Sequence, residues 1–439
     1  MHDVLDPRDL VPDEAEQLTL SGYPAEELLA SARDAAVRDD LDRLSEIDER
    51  LAGLPRSTEW TYDEPEDEGE LLALTSRAER LETDPSSLAD RIHGAWLGRA
   101  VGNTLGKPVE GLTRGQLALY VRATGTERLT DYLPLLDPLP DGVPALHPSA
   151  PVAAAGRFTD VPRDDDLDWT ILGLLALETH GGDLRTDHLA ALWLDRVPFT
   201  QTYTAERAAY RNLIHGLRPP FTATFRNPYR EWIGALIRAD VFGYVSPGDP
   251  AGAARLALVD GRLSHVANGL YGEMWSAALV AAALAVESAG QALRAARAVV
   301  PERSRLAEAL DAVAALHAQG VDREAALDFV DSDLGGYPWV HTINNAALIA
   351  IGLLWGKDFL DAVGLTITGG RDTDSNGATV GSVMGALRGS TGVPPHLVGT
   401  THVRIRSAIR DFDGIRIDEL AERTVRLAAA RGTVSAAHG

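Results

Sequence analysis

The chain has 439 residues, 45% of them apolar, no cysteine and a formal net charge of −23 at pH 7. That length allows two or three average domains, or one large domain with an appendage, and the apolar share suffices for a globular core. The charge disfavours non-specific binding to nucleic acid or to an anionic membrane, both of which need basic patches. The missing cysteines exclude disulfides, thiolate metal sites and a cysteine nucleophile, and agree with a reducing, cytoplasmic compartment.

Residues 1–87 differ from the rest in being rich in Asp, Glu, Arg and Leu. The opening MHDVLDPRDLVPDEAEQ is acidic and mixed, unlike a secretory signal. Pro24 to Leu54 carries Leu28, Leu29, Ala32, Ala36, Leu41, Leu44 and Ile47 at helical spacing, and a short helix is predicted around Glu70–Leu81. Between them DEPEDEGE, Asp63–Glu70, reads as a solvated loop, with a docking segment for a basic partner as the alternative. Asp84-Pro85-Ser86-Ser87 marks a boundary. The chain therefore divides into an N-terminal helical extension, 1–87, which packs on the remainder, dimerises or binds a partner, and a second domain, 88–432.

From Leu88 a helix is predicted with Ile92, Ala95, Trp96, Ala100 and Val101 inward. Gly94, Gly98, Gly102 and Gly106 recur every four residues and make one smooth face for close helix packing. The stretch GAWLGRAVGNTLGKPVEG leads to Glu110. Residues 112–163 are irregular and proline-rich, which suits a lid or the rim of a cleft, and His147 within them reads as a solvent residue. RDDDLDWT, Arg163–Thr170, then sets Asp164, Asp165 and Asp166 before an apolar helical run. Capping a helix needs one such residue, and three adjacent carboxylates repel unless a cation or solvent separates them.

Residues 183–217 read as one or two helices, followed by FRNPYREWIGALIRADVFGYV, Phe225–Val245. A helix over 251–265 ends at Ser264-His265. The longest apolar run, Met274–Val286, is too short to span a bilayer and reads as a buried helix. Residues 273–318 and 322–334 form Ala-rich helices with no visible chemistry. In YPWVHTINNAALIAIGLLWG, Tyr337–Gly356, His341, Asn344 and Asn345 precede another buried helix, as caps or as ligands for sugar hydroxyls. TGGRDTDSNGATVGSVMGA, Thr368–Ala386, has a Gly-Gly turn, then Asp372, Asp374 and Ser375, then a run of small residues. Helices over 402–411 and 417–431 close the chain. No strand alternation stands out, so the expected fold is all-α, compact and orthogonally packed.

The two aspartate clusters are oxygen-only, which suits Mg²⁺ or Mn²⁺ better than Zn²⁺. Their five carboxylates and one hydroxyl suffice for two ions that share ligands and orient a water. The plain alternative is a pair of acidic helix caps in solvent. Asp164 to Asp168 also reads as DDxxD, the Mg²⁺–diphosphate motif of terpene synthases, but no second Asn/Asp-Ser-Glu metal motif follows.

RDDDLDWTILGLLALE and GGRDTDSNGATVGSVMGA resemble the two metal-binding motifs of the ADP-ribosylglycohydrolases, of the dinitrogenase-reductase-activating glycohydrolase type. GAWLGRAVGNTLGKPVEG resembles that family's first helix and SHVANGLYGEM, Ser264–Met274, its Ser/Thr-His…Gly segment; the four occur in family order over residues 88–432. The resemblance, to a divergent subgroup, implies a Mg²⁺- or Mn²⁺-dependent glycohydrolase. It would cleave an N- or O-glycosidic bond of ADP-ribose or of a related ribosyl or glycosyl substrate, small or protein-borne. Two Mg²⁺ or Mn²⁺ ions would lie between Asp164, Asp165 and Asp166 on one side and Asp372, Asp374 and Ser375 on the other. Asp166 would assist the attacking water as base, and Glu110 would lie over the metal pair and gate or polarise the substrate.

The substrate-binding positions the resemblance implies are Asn103, where the family often has Asp; Gly234, with Trp232 in place of a small residue of the family's Gly-Asn-Gly-Ala-like diphosphate loop; and Ser264, His265 and Gly272. The residues themselves add His341 and Asn344 at a helix start, and Arg371 beside the acidic cluster as phosphate ligand, charge balance or structural ion pair. Asp164 stands where Thr or Ser is usual. Glu231 would repel a diphosphate unless it faces away, and Trp232 offers a surface for stacking on a base or sugar. A non-catalytic ADP-ribose-binding relative is the alternative function. The aglycone, the oligomeric state and the role of residues 1–87 are not set by the sequence.

Overall fold

The computed structural model describes residues 5–436 and is 62% helical. Residues 1–4 of the acidic N-terminal stretch lie outside the described residues. The centre is a pair of antiparallel helices, Leu88–Gly106 and Thr373–Arg388. A Cβ on Gly94, Gly98, Gly102 or Gly106 would fall inside the backbone at Gly385, Gly381, Gly377 and Thr373 respectively, and Gly377, Gly381 and Gly385 are equally closed against Gly102, Gly98 and Gly94. Glycine weakens an isolated helix by about 1 kcal/mol per residue. Here the loss is offset by a backbone-to-backbone approach that no side chain permits, with carbonyl oxygens against facing Cα hydrogens.

The antiparallel sense sets up the site. It brings the start of the second helix, with Asp372 to Ser375, against the end of the first, where Lys107 to Glu110 begin. Thr373 Oγ1 donates to the Gly106 carbonyl at 2.8 Å. The two loops also pair through their backbones, Gly111 N–H to the Arg371 carbonyl and Arg371 N–H to the Leu112 carbonyl, both at 2.9 Å. Gly370 and Arg371 turn the chain at φ +70° and +68°.

A third helix, Asp165–His180, packs beside the pair. Arg99, fully buried midway along the first glycine-lined helix, donates to Asp240 Oδ2 and to the Asp166 carbonyl, each at 2.8 Å, and so pins the new helix's first turn. The apolar run from Met274 lies in the helix Ala267–Ala283, buried along its whole length. Among the described residues the only paired strands are Arg404–Ile405 and Ile415–Arg416, a two-residue antiparallel ribbon.

Several local expectations need correction. The helix predicted over 402–411 is that ribbon and its turn instead, because Asp413 accepts from Arg406 and from the Ser407 N–H and Asp411 takes φ +77°. The irregular 112–163 stretch contains a helix, Arg114–Ala123, started by a reciprocal Thr113/Gln116 cap. The periodic stretch 24–54 splits into Glu26–Val37 and Leu41–Ala52, because Asp39 adopts φ +57° and Asp40 caps the second piece at Arg43 N–H, 3.0 Å. An unpredicted helix, Pro7–Leu20, precedes them, capped by Asp6 with proline at its first position. These three helices share a small core of Val11, Ala15, Leu28, Ala32, Leu44, Ile47 and Leu51. The short helix runs Glu68–Thr75.

The acidic DEPEDEGE stretch is not wholly solvated. The Glu64 side chain is 1% exposed and pairs with Arg305 at 2.9 Å. Arg305 also binds Glu231 at 2.7 Å and the Leu20 carbonyl at 2.9 Å. Glu231 further accepts from Gln17 (2.8 Å), Ser21 (3.0 Å) and Asn268 (2.8 Å). Burial pushes its carboxyl up, but the Arg305 guanidinium, His341 and the hydrogen bonds from Arg305 and Asn268 together outweigh that and hold it at about 2. One arginine therefore ties three segments of chain together. Arg305→Met leaves two buried carboxylates uncompensated, and the expected loss is roughly 3–5 kcal/mol. It should appear as a lower urea midpoint, partly restored by adding Glu231→Gln; an unmoved midpoint would show that the N-terminal segment is held by other contacts.

Candidate metal and catalytic site

Asp164 ends an extended segment and caps the helix behind it, its Oδ1 accepting the Asp166 N–H at 3.0 Å. Its Oδ2 accepts from Lys107 Nζ, which arrives from the end of the first glycine-lined helix. Asp166 turns inward and is 1% exposed. Asn103 Nδ2 donates to its Oδ2 at 2.8 Å and Ser375 Oγ to its Oδ1 at 3.1 Å, so its carboxylate plane is fixed from both sides. Asp374, in the first turn of the opposing helix, has Oδ1 buried and without a hydrogen-bond partner.

These side chains form two ligand sets, Asp164/Asp166/Asp374 and Glu110/Asp372/Asp374, each with one oxygen per residue within 4.8 Å of the others. Asp374 belongs to both. Burial, and next the Asp374 charge, push the Asp166 carboxyl up to about 8. The same two causes raise Glu110 and Asp372 well above the usual carboxylate range. A cluster that cannot ionise fully on its own is relieved by a cation. The all-oxygen donors and the orphaned Asp374 oxygen fit a hard divalent ion.

Asp165 enters neither set; it is half-buried and raised chiefly by burial. Successive residues of a helical turn point about 100° apart, so three adjacent aspartates cannot face one point. Glu110 joins the other set, beside Asp372 and Asp374. Asp168, the last carboxylate of the DDxxD pattern, is turned away to Arg163 (2.8 Å), Ser407 Oγ (2.6 Å) and the Ala408 N–H (3.0 Å). His147 is not a free solvent residue: its Nδ1 lies 3.1 Å from Glu110 Oε2.

A sequence model of the ADP-ribosylglycohydrolase family matches residues 84–434. The chain belongs to that family. It is a hydrolase of the glycohydrolase kind, and the two aspartate motifs are the ones that converge here. One solved structure, described as an ADP-ribosylglycohydrolase-related protein complex, is 20% identical over 78% of this chain and 99% of its own, with a TM-score of 0.43. No curated protein matches. Among the described residues no helix is long and apolar enough to cross a membrane.

Other expected substrate residues of this glycohydrolase lie elsewhere. Trp232 is 5% exposed and packs with Leu10, Ala205 and Tyr229 against the first N-terminal helix, so it offers no stacking face. Gly234 makes room for the Glu206 carboxylate, which a Cβ would overlap. Ser264 and His265 are fully buried in a second ionic network: Arg238 binds Glu206 (2.5 Å), Asp260 and Ser264 Oγ (2.8 Å), and Ser264 Oγ meets His265 Nδ1 at 2.8 Å. Burial first, then Arg238, keeps His265 neutral, well below its ordinary pKa. Gly272 packs on Thr342.

His341 is fully buried and caps its helix at the Ile343 N–H, 3.2 Å. Asn344 donates to the Pro338 carbonyl at 3.0 Å. Arg371 pairs with Asp331 at 2.9 Å, a structural ion pair. Asn103 is fully buried and donates to Asp166. Asn345, expected as a cap or a sugar ligand, accepts from Asn376 beside Ser375 at 2.7 Å, and sequence reasoning assigned no role to Arg99, Lys107 or Arg238. The available signal was a lone charged or amide group inside an apolar helical run, which is buried only when paired.

Proposed function

We propose that this protein is a divalent-cation-dependent glycohydrolase acting on an N- or O-glycosidic bond of ADP-ribose or of a related, smaller ribosyl or glycosyl substrate. The observation that carries this is the pair of buried carboxylate sets sharing Asp374. They provide for up to two Mg²⁺ or Mn²⁺ ions, with Ser375 behind them. Bound there, such an ion supplies Lewis acidity and acidifies a water. The chain's own groups do the rest. Asp166, oriented by Asn103 and Ser375, accepts the proton of the attacking water. Glu110, the most exposed carboxyl of its set, gates or polarises the substrate, and the proton taken up by Asp166 passes to the leaving atom as the C1 bond breaks. The surrounding carboxylates favour the oxocarbenium-like charge that develops at C1.

The substrate assignment rests on family membership, and its smaller end on Trp232 and Glu231. Both are withdrawn into packing and ion pairs where the family resemblance would place a diphosphate loop. Titration of Mn²⁺-loaded protein with ADP-ribose tests this. Micromolar binding with release of ribose-containing product is expected if ADP-ribose is the substrate. Turnover of nucleosides or small glycosides alone would assign the smaller class. Binding without turnover of any glycoside would leave a non-catalytic binder.

A further inference from the structure

The two ligand sets are not equivalent. Lys107 Nζ touches Asp164 Oδ2 and lies 3.9 Å from Asp374 Oδ2, two of the three carboxylates of one set. Its side chain is 7% exposed, and it leaves the backbone in the turn that joins the central helix to Glu110. The third member, Asp166, already accepts one hydrogen bond on each oxygen, from Asn103 and Ser375. Of the other set Lys107 reaches only the shared Asp374; among the described residues no Lys or Arg pairs with Glu110 or Asp372, Glu110 lies against His147, and Asp374 keeps Oδ1 without a hydrogen-bond partner.

We propose that Lys107 occupies the Asp164/Asp166/Asp374 position as a tethered ammonium, so that the centre binds one divalent ion, at Glu110/Asp372/Asp374. This rests on the metal-dependent reading above and narrows it. An ammonium is a compact point charge with three donors and no vacant coordination position. It neutralises the cluster and can donate to a sugar hydroxyl, but it cannot acidify a water. The paired identities at 107 and 164 follow from this: an aspartate at 164 gives the lysine its counter-charge inside the site, where a hydroxyl would not. Three carboxylates, Glu110, Asp372 and Asp374, remain for the one divalent ion.

The test uses the full chain saturated with Mn²⁺, with metal counted by elemental analysis and read by electron paramagnetic resonance. Wild type is expected to hold one ion per chain with the spectrum of an isolated Mn²⁺. Lys107→Met, which frees the second position, is expected to double the loading and to show spin coupling between the ions. Two coupled ions in wild type would overturn the proposal while leaving the metal-dependent reading intact, and so would a single ion in both proteins. No bound ion in either protein would overturn both. If Lys107→Met does not fold, the wild-type spectrum at saturation decides alone, isolated in favour and coupled against.

Discussion

Asp374→Asn is expected to abolish divalent-metal binding and to lower glycoside turnover by more than about 100-fold, since even partners outside the ligand shell are commonly worth about 10- to 100-fold. No other residue belongs to both ligand sets, so its loss disables both together. The fold should not suffer. The substitution keeps the side chain's volume and removes one of several carboxylates that repel at close range, and the Asp374 charge is the second-largest cause holding Asp166, Glu110 and Asp372 away from their ionised forms. The metal-free variant should therefore melt no lower than metal-free wild type, while the rise in melting temperature that Mn²⁺ gives the wild type disappears. Stability and function then move apart, as expected where charge is concentrated for binding. Retained Mn²⁺ stabilisation in the variant would sink the assignment of Asp374 as the shared ligand.

Gly102→Ala is expected to cost upwards of about 3 kcal/mol, at the high end for overpacking by a single methyl. The added Cβ meets the Gly377 carbonyl and the Ala378 N, which are backbone and cannot rotate away. The loss should be felt first at the site, because Gly377 is three residues from Asp374 and the helix pair sets the separation of the two ligand-bearing ends. Metal affinity should therefore fall in a variant that is still folded at low temperature. Gly115→Ala is the control. That glycine lies inside the helix Arg114–Ala123 with nothing near its missing Cβ, so alanine there should be neutral or stabilise by up to about 1 kcal/mol. Equal effects at the two positions would show that helix propensity, and not contact between the backbones, governs Gly102.

Much of this arrangement was legible in the chain. The four-residue glycine spacing from Gly94 to Gly106 announced a close helix contact, and the two acidic motifs announced an oxygen-ligand cation site. Both are local patterns, and local patterns survive folding when the helices that carry them form. The partner of the glycine face was less visible, although Gly377, Gly381 and Gly385 repeat at the same interval far along the chain. Periodicity tells which face is smooth and not what it meets. The outlying substrate candidates misled for a related reason. Trp232, His265 and Gly272 sit in segments that resemble family motifs, but a segment's neighbours decide whether a side chain lines a cleft or a core. Here helix Pro7–Leu20, unpredicted, closes over Trp232, and Arg238 draws Ser264 into an ion network.

By itself the sequence determined the all-α class, the helix pair's close approach, and the carboxylates that can hold a hard cation, because helix period, side-chain size and donor chemistry are properties of residues and their spacing. Only the tertiary structure decided which carboxylates converge. Asp165 left the ligand sets and Glu110 joined them because helix geometry points adjacent residues apart while antiparallel packing brings distant helix ends together. It also decided that Lys107 lies among the aspartates, a placement fixed by where one helix stops against the start of another and by the need of a buried charge for its opposite.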